Sequence, residues 1–222
     1  MPHDLRTKAI VLRRTNYGES DRIINLLTPD GKIAVLAKGV RKEKSRLAGG
    51  IELFSVADIV VHQGRSNLGT LTSAKMLCFY KNILTDISRL ELASECLKKI
   101  ERAAEQVDNP EYFELINQVL AGLDKGVNMD LVRLWFAMNL AQAMGEEINL
   151  ATDAMGSELE IDQRYFWDQT EVALRTNSKG MIGAQEIKLA RVILQNKLFA
   201  VAKIAQVNEL IRPLEMIGRA FW

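Results

Sequence analysis

The apolar residues of this chain keep a period of two over the first 76 residues and change to about three-and-a-half from Phe79 onward. One such change divides a chain into a strand module followed by a helical module. Residues 7–14 are rich in branched aliphatics and stop at Asn16-Tyr17-Gly18. Residues 22–28 and 32–38 flank Pro29-Asp30-Gly31. There proline fixes φ and glycine accepts a positive one, so the two runs pair as an antiparallel hairpin. Residues 51–62 supply a long strand with a doubly buried stretch at Val56, Ile59, Val60 and Val61, and the turn 63–67 leads into a fifth run, 68–74. Five short strands without an intervening helix suit a small Greek-key barrel of the OB type, and an SH3-like barrel has nearly the same count.

Beyond Phe79, Leu90, Ala93, Leu97, Ile100 and Ala104 share one helical face, which frays before Asp108. Asn109-Pro110 is a cap followed by proline in the first helical position, and Phe113, Ile116, Val119, Leu120 and Leu123 continue one stripe. Residues 130–144 are apolar nearly all round and end at Gly145, where a left-handed cap belongs, so they read as the buried centre of a bundle. Residues 146–183 break the pattern, with Tyr165–Asp168 and residues 171–174 as short strands or one hairpin. Two closing helices follow, 184 to about 205 with a break near Asn196, and 208–220, where Pro213 sets either a start near Ile211 or a kink. The expected fold class is α+β: a five-stranded N-terminal barrel over residues 1–78, then an all-helical C-terminal domain over residues 79–222 with the irregular insert at 146–183.

Charge is spread unevenly. Residues 1–82 hold fourteen Lys or Arg against seven Asp or Glu, a net +7, whereas residues 83–222 hold fifteen against twenty-one, a net −6. The basic excess concentrates in residues 32–46, and Lys38-Gly39-Val40-Arg41-Lys42-Glu43-Lys44-Ser45-Arg46 alone carries five cations and one anion. Such a run often does no more than solvate a loop, but extended it reaches about 30 Å and can touch several consecutive phosphates. Arg13, Arg14, Arg22 and Arg65 add cations from the same module, and Tyr17, in a turn beside Gly18, offers a stacking face for a base. Phe54 sits in an apolar run and belongs in the core. The expected DNA-binding set is therefore Lys38, Arg41, Lys42, Lys44 and Arg46 with Arg13, Arg14, Arg22, Arg65 and Tyr17.

Other chemistries find little support. Two histidines, His3 and His62, and two cysteines, Cys78 and Cys96, stand in no zinc-ligand spacing. Glu19 and Asp21 are turn chemistry beside Arg22, and Ser20, Ser45, Ser55 and Ser66 lie in no nucleophile setting. No phosphate-binding glycine loop with a following Lys-Ser or Lys-Thr occurs. The cysteine count, the lack of a signal-like start and the absence of an eighteen-residue apolar run suit the cytoplasm. The chain reads as a binding protein rather than an enzyme.

The motifs Lys8-Ala9-Ile10-Val11-Leu12, Tyr17-Gly18-Glu19-Ser20-Asp21-Arg22-Ile23-Ile24, Leu27-Thr28-Pro29-Asp30-Gly31-Lys32 and Ala37-Lys38-Gly39-Val40-Arg41-Lys42, followed by Ser45-Arg46-Leu47, resemble the amino-terminal domain of the RecO family of bacterial recombination mediators. Ile51-Glu52-Leu53-Phe54-Ser55 and Thr72-Ser73-Ala74 extend the likeness over about the first 80 residues. The resemblance implies an OB-fold followed by a helical domain. It implies binding of single-stranded and double-stranded DNA, strand annealing, and help in loading the recombinase RecA onto DNA coated by single-strand-binding protein. It further implies the partners RecR and single-strand-binding protein through its acidic tail, for which Arg133, Lys188 and Arg191 are candidate rims, and a nucleoid-associated location. Many family members carry a four-cysteine zinc module after the central helix. Residues 145–183 here hold no cysteine, so no zinc or other cofactor is expected. The alternative from another class is an adaptor whose barrel binds protein, with the charge asymmetry docking the two halves together.

Overall fold

The computed structural model describes residues 3–64 and 68–222. Contacts divide the chain into two compact units, Met1–Asp124 and Lys125–Trp222. In the first, strands β1 (His3–Tyr17), β2 (Asp21–Thr28), β3 (Gly31–Ala37), β4 (Ser55–Gln63) and β5 (Gly69–Phe79) close into a barrel in the order β1-β2-β3-β5-β4. Neighbours are antiparallel except β3 and β5, which run parallel through Val35 with Gly69 and Leu36 with Thr70. Joining β3 to β5 rather than to β4 makes the Greek key of an OB-fold, which settles the choice that strand count leaves open.

Strand β1 is longer than its apolar run because it serves two neighbours in turn. His3 to Ile10 pair with β4, and Ile10 to Tyr17 pair with β2, with a bulge between Val11 and Arg13. The barrel interior is filled by Ala9, Val11, Ile24, Leu26, Val35, Ile59, Val61 and Leu71, each large aliphatic contributing about 1.5–3 kcal/mol on burial. Strand β4 begins at Ser55 and not at Ile51. Phe54 has a φ of 60°, and the Ser55 hydroxyl donates to the Glu52 carbonyl at 2.7 Å, so residues 51–54 form a turn. That segment is apolar because Ile51 plugs the barrel, not because it lies in a sheet.

Helices α1 (Ile87–Gln106) and α2 (Glu111–Asp124) complete the first unit. The Asp86 carboxylate accepts from the Ser88 and Arg89 amides at 2.9 and 3.0 Å, and Asn109 accepts from the Glu111 amide at 2.9 Å, satisfying amides that a helix start leaves without partners.

The second unit is built on α3 (Met129–Ala143), whose Leu131, Val132, Leu134, Trp135, Phe136, Met138 and Leu140 are all buried. Strands β6 (Tyr165–Asp168) and β7 (Ala173–Thr176) form an antiparallel hairpin. Its second strand starts two residues later than its sequence suggests, because Val172 turns with a φ of 50°. The rest of residues 146–183 is held by side-chain oxygens of Asn149, Asp153, Asp168 and Asn177, each accepting from a nearby backbone amide. Helix α4 (Ala184–Gln195) stops at Asn196, and α5 (Leu198–Val201) ends well short of residue 205, before Gln206 turns left-handed. The expected helix over 208–220 is also broken, into α6 (Val207–Leu210), a 3-10 turn (Arg212–Leu214) and α7 (Glu215–Ala220). Pro213 lacks the amide a continuous helix requires there. Among the described residues no helix is long and apolar enough to cross a membrane.

Candidate nucleic-acid interface

The basic segment after β3 is a braced loop. Gly39 takes a φ of +61°, which glycine adopts without steric cost, and its amide donates to Asp21 Oδ1 at 2.7 Å. The Arg41 amide donates to the Ser20 carbonyl at 2.9 Å and its guanidinium to the Gly18 carbonyl at 3.2 Å. Turn bonds from Lys42 to Gly39 and from Ser45 to Lys42 continue the fold of the loop. Between these polar ties Val40 enters the barrel core, where Leu47, Ala48 and Ile51 anchor the far end. Gly50 lies so close to the Ala74 carbonyl that a Cβ has no room. The loop is thereby fastened to the β1–β2 turn, and Lys38, Arg41, Lys42, Lys44 and Arg46 are left exposed. Among the described residues, Lys38, Lys42, Lys44 and Arg46 lie within ion-pair distance of no carboxylate.

The Gly39 amide, the Ser20 hydroxyl and the nearby Lys38 and Lys42 hold the Asp21 carboxyl below its usual value of 3.8. A carboxyl depressed in the folded state adds stability that is present above its unfolded value and is lost as pH falls through the folded one. The tie between loop and turn is therefore intact at neutral pH and released in acid below 3.8. Asp21→Ala should release it at pH 7. Hydrogen exchange is expected to show the Gly39 and Arg41 amides exchanging several-fold faster while the strand amides of β2 keep their protection.

The remaining predicted residues divide. Tyr17 stands 55% exposed on the turn that the loop grips, and Phe54 is buried at 2%, so of these two Tyr17 presents its ring to solvent. Arg22 donates through Nε to Asn16 at 3.1 Å. Arg13 and Arg14 are already engaged: Arg13 Nε meets Glu101 at 3.1 Å, and Arg14 meets Glu52 at 2.7 Å and the Ile51 carbonyl at 3.5 Å. Arg65 lies outside the described residues.

Sequence reading missed the partner of Arg13. Glu101 on α1 also accepts from Asn25 at 2.6 Å and faces Lys32 at 3.8 Å, while Lys32 reaches Glu105 one turn further on. Lys32, followed in strength by Arg13 and Arg102, holds the Glu105 carboxyl below its usual 4.5. The helical spacing of Lys98, Glu101 and Glu105 marks one charged face of α1 but names no partner in β1 or β3. Because α1 and α2 belong to the barrel's unit, the charge asymmetry along the chain does not divide the two units. Residues 1–124 hold eighteen Lys or Arg against sixteen Asp or Glu, a net +2, and residues 125–222 hold eleven against twelve, a net −1.

In the second unit Arg133 lies 4.9 Å from the Trp222 ring centroid, on a groove of about 250 Å³ shared with Leu134, Gly218 and Arg219. Arg191 is committed elsewhere, donating to the Leu150 carbonyl through Nε at 3.1 Å. Lys188 is exposed on α4. Among the described residues no three His, Cys, Asp or Glu side chains converge as metal ligands.

Two family models cover almost the whole chain: "Recombination protein O N terminal" matches residues 1–80 and "Recombination protein O C terminal" matches residues 84–221. A DNA repair protein RecO from Dehalococcoides mccartyi strain CBDB1 is 30% identical over 99% of this chain and 89% of its own length. Proteins of the same name from Roseiflexus sp. strain RS-1 and Bacillus cytotoxicus are 36% and 32% identical, each over 63% of this chain and over 50% and 57% of their own lengths. A barrel of OB topology carrying a braced cationic loop, joined to a helical unit and matched by both family models, places the chain in the RecO family of DNA repair and recombination proteins.

Proposed function

We propose that this protein is a non-enzymatic recombination mediator that holds the backbone of single-stranded DNA on the loop of residues 38–46. The observation that carries this reading is the combination of a fixed loop with exposed cations: Val40 and the Asp21 tie fix the loop, while Lys38, Lys42, Lys44 and Arg46 stand exposed with no ion pair among the described residues, Lys38 and Lys42 acting on Asp21 only from beyond contact. Exposed cations outside close ion pairs displace counterions from a polyanion, independently of its sequence. Tyr17 supplies a stacking face at the loop's edge. Double-stranded DNA would be held by the same backbone contacts. Annealing follows if two strands are brought together with their repulsion screened.

Within the same reading, RecR and single-strand-binding protein are the protein partners, RecA is served indirectly, and the protein acts at the nucleoid in the cytoplasm. The groove of Arg133 and Trp222 is also lined by Asp130 and Glu215, and Glu215 pairs with Arg219 at 3.4 Å, so of its cations Arg133 is the one left to meet the acidic tail of single-strand-binding protein. No zinc is assigned in this reading, and in residues 146–183 turns are held by side-chain oxygens of Asn149, Asp153, Asp168 and Asn177.

Fluorescence anisotropy of a labelled oligodeoxythymidine with the purified protein tests the reading. Binding by the protein alone, weakening with salt, is expected. Retention of DNA only after RecR or single-strand-binding protein is added would point instead to a protein adaptor.

A further inference from the structure

A groove of about 370 Å³ opens in the barrel's own unit, between the β1–β2 ribbon and α1, a size within the range of about 300–1,000 Å³ usual for ligand sites. Its floor is apolar, with Phe54 and Leu97 buried at 2% and 3%. Its rim is cationic, with Arg13, Arg22 and Lys98 facing a single carboxylate, Glu101. That carboxylate is already answered by Arg13, Asn25 and Lys32. Lys98 has no ion pair among the described residues, and Arg22 spends only Nε on Asn16. The groove therefore retains positive charge above an apolar base, complementary to a ligand that is anionic on one side and flat and apolar on the other. A nucleotide has that character.

Position narrows the choice. Asn16, which holds Arg22, adjoins the exposed Tyr17, and the same turn is clamped to the basic loop through Gly18, Ser20 and Asp21. Asn16 thus brings the rim of the groove to the end of the β1–β2 ribbon that the loop grips. We propose that the groove seats a nucleotide of the bound single strand, with its phosphate between Arg22 and Lys98 and its base over Leu97 and Phe54. This rests on the DNA-binding reading and extends the path from the barrel onto α1.

Two variants of the full chain test it, with a fluorescent oligodeoxythymidine of about twenty residues as probe. Lys98→Glu is a change at an exposed position, and Ser94→Trp fills the groove from α1 without altering charge. Lys98→Glu is expected to weaken binding about fivefold at 0.1 M salt and to lower the slope of log K against log salt by about 0.7. Ser94→Trp should weaken binding and shorten the length of strand covered, without that change of slope. Both variants binding as wild type, while Lys42→Glu with Lys44→Glu binds weakly, would overturn the groove and leave the loop standing. Variants that keep DNA affinity but lose an oligoglutamate peptide would overturn it in favour of an acidic peptide site. No binding of DNA by the wild-type protein would remove the parent reading and the groove together.

Discussion

Replacing Lys42 and Lys44 together with Glu is expected to weaken binding of single-stranded DNA about 25-fold or more at 0.1 M salt, and to flatten the salt dependence by about 1.4 in log–log slope. Each phosphate contact on a single strand contributes a slope near 0.7, so two contacts account for both figures. The size of the effect depends on the loop being fixed. A floppy loop could substitute Lys38 or Arg46 for the lost cations, but here turn bonds join residues 39, 42 and 45 and Val40 is anchored in the core. Fold should be unaffected, since both lysines are exposed and pair with no carboxylate among the described residues. An unchanged slope would remove the loop from the binding surface.

The largest effect on stability is expected at Phe136. Its side chain is 0% exposed at the centre of α3, and its ring lies edge-on to Trp222 with centroids 5.8 Å apart. Phe136→Ala should destabilise the second unit by about 3–5 kcal/mol, through lost burial and the cavity left behind. All three tryptophans, Trp135, Trp167 and Trp222, belong to that unit. Urea unfolding followed by tryptophan fluorescence therefore reports it without signal from the barrel. A midpoint within error of wild type would mean that α3 is not the packing centre of the unit.

The strand module was legible because its turns are written in residue chemistry. Pro29-Asp30-Gly31 marks the β2–β3 hairpin, and the consecutive branched aliphatics Ile10, Val11 and Leu12, all buried in β1, stop short of the turn at Asn16-Tyr17-Gly18. The start of β4 was not legible, since Ile51 is apolar as a plug in the barrel core and Phe54 as a buried turn residue beside Leu97, and neither role has a period. Helix breaks after Gln195 and at Pro213 were signalled by Asn196 and proline, but the left-handed Gln206 has no residue-type signature. Among site residues, the exposed loop cations and Tyr17 follow from turn chemistry alone. The engagement of Arg13 by Glu101 did not, because it joins positions 88 residues apart and no local pattern encodes a tertiary ion pair. The same long-range packing cancels most of the charge asymmetry read along the chain, which removes its support for two oppositely charged halves.

Photo-crosslinking a bromodeoxyuridine-substituted single strand to the full chain, with the linked peptides read by mass spectrometry, bears most directly on where DNA sits. Crosslinks at Tyr17 and within residues 38–46 are the expected result. Crosslinks confined to residues 125–222, with the loop peptides unmodified, would contradict the assignment of the barrel loop as the DNA-binding surface.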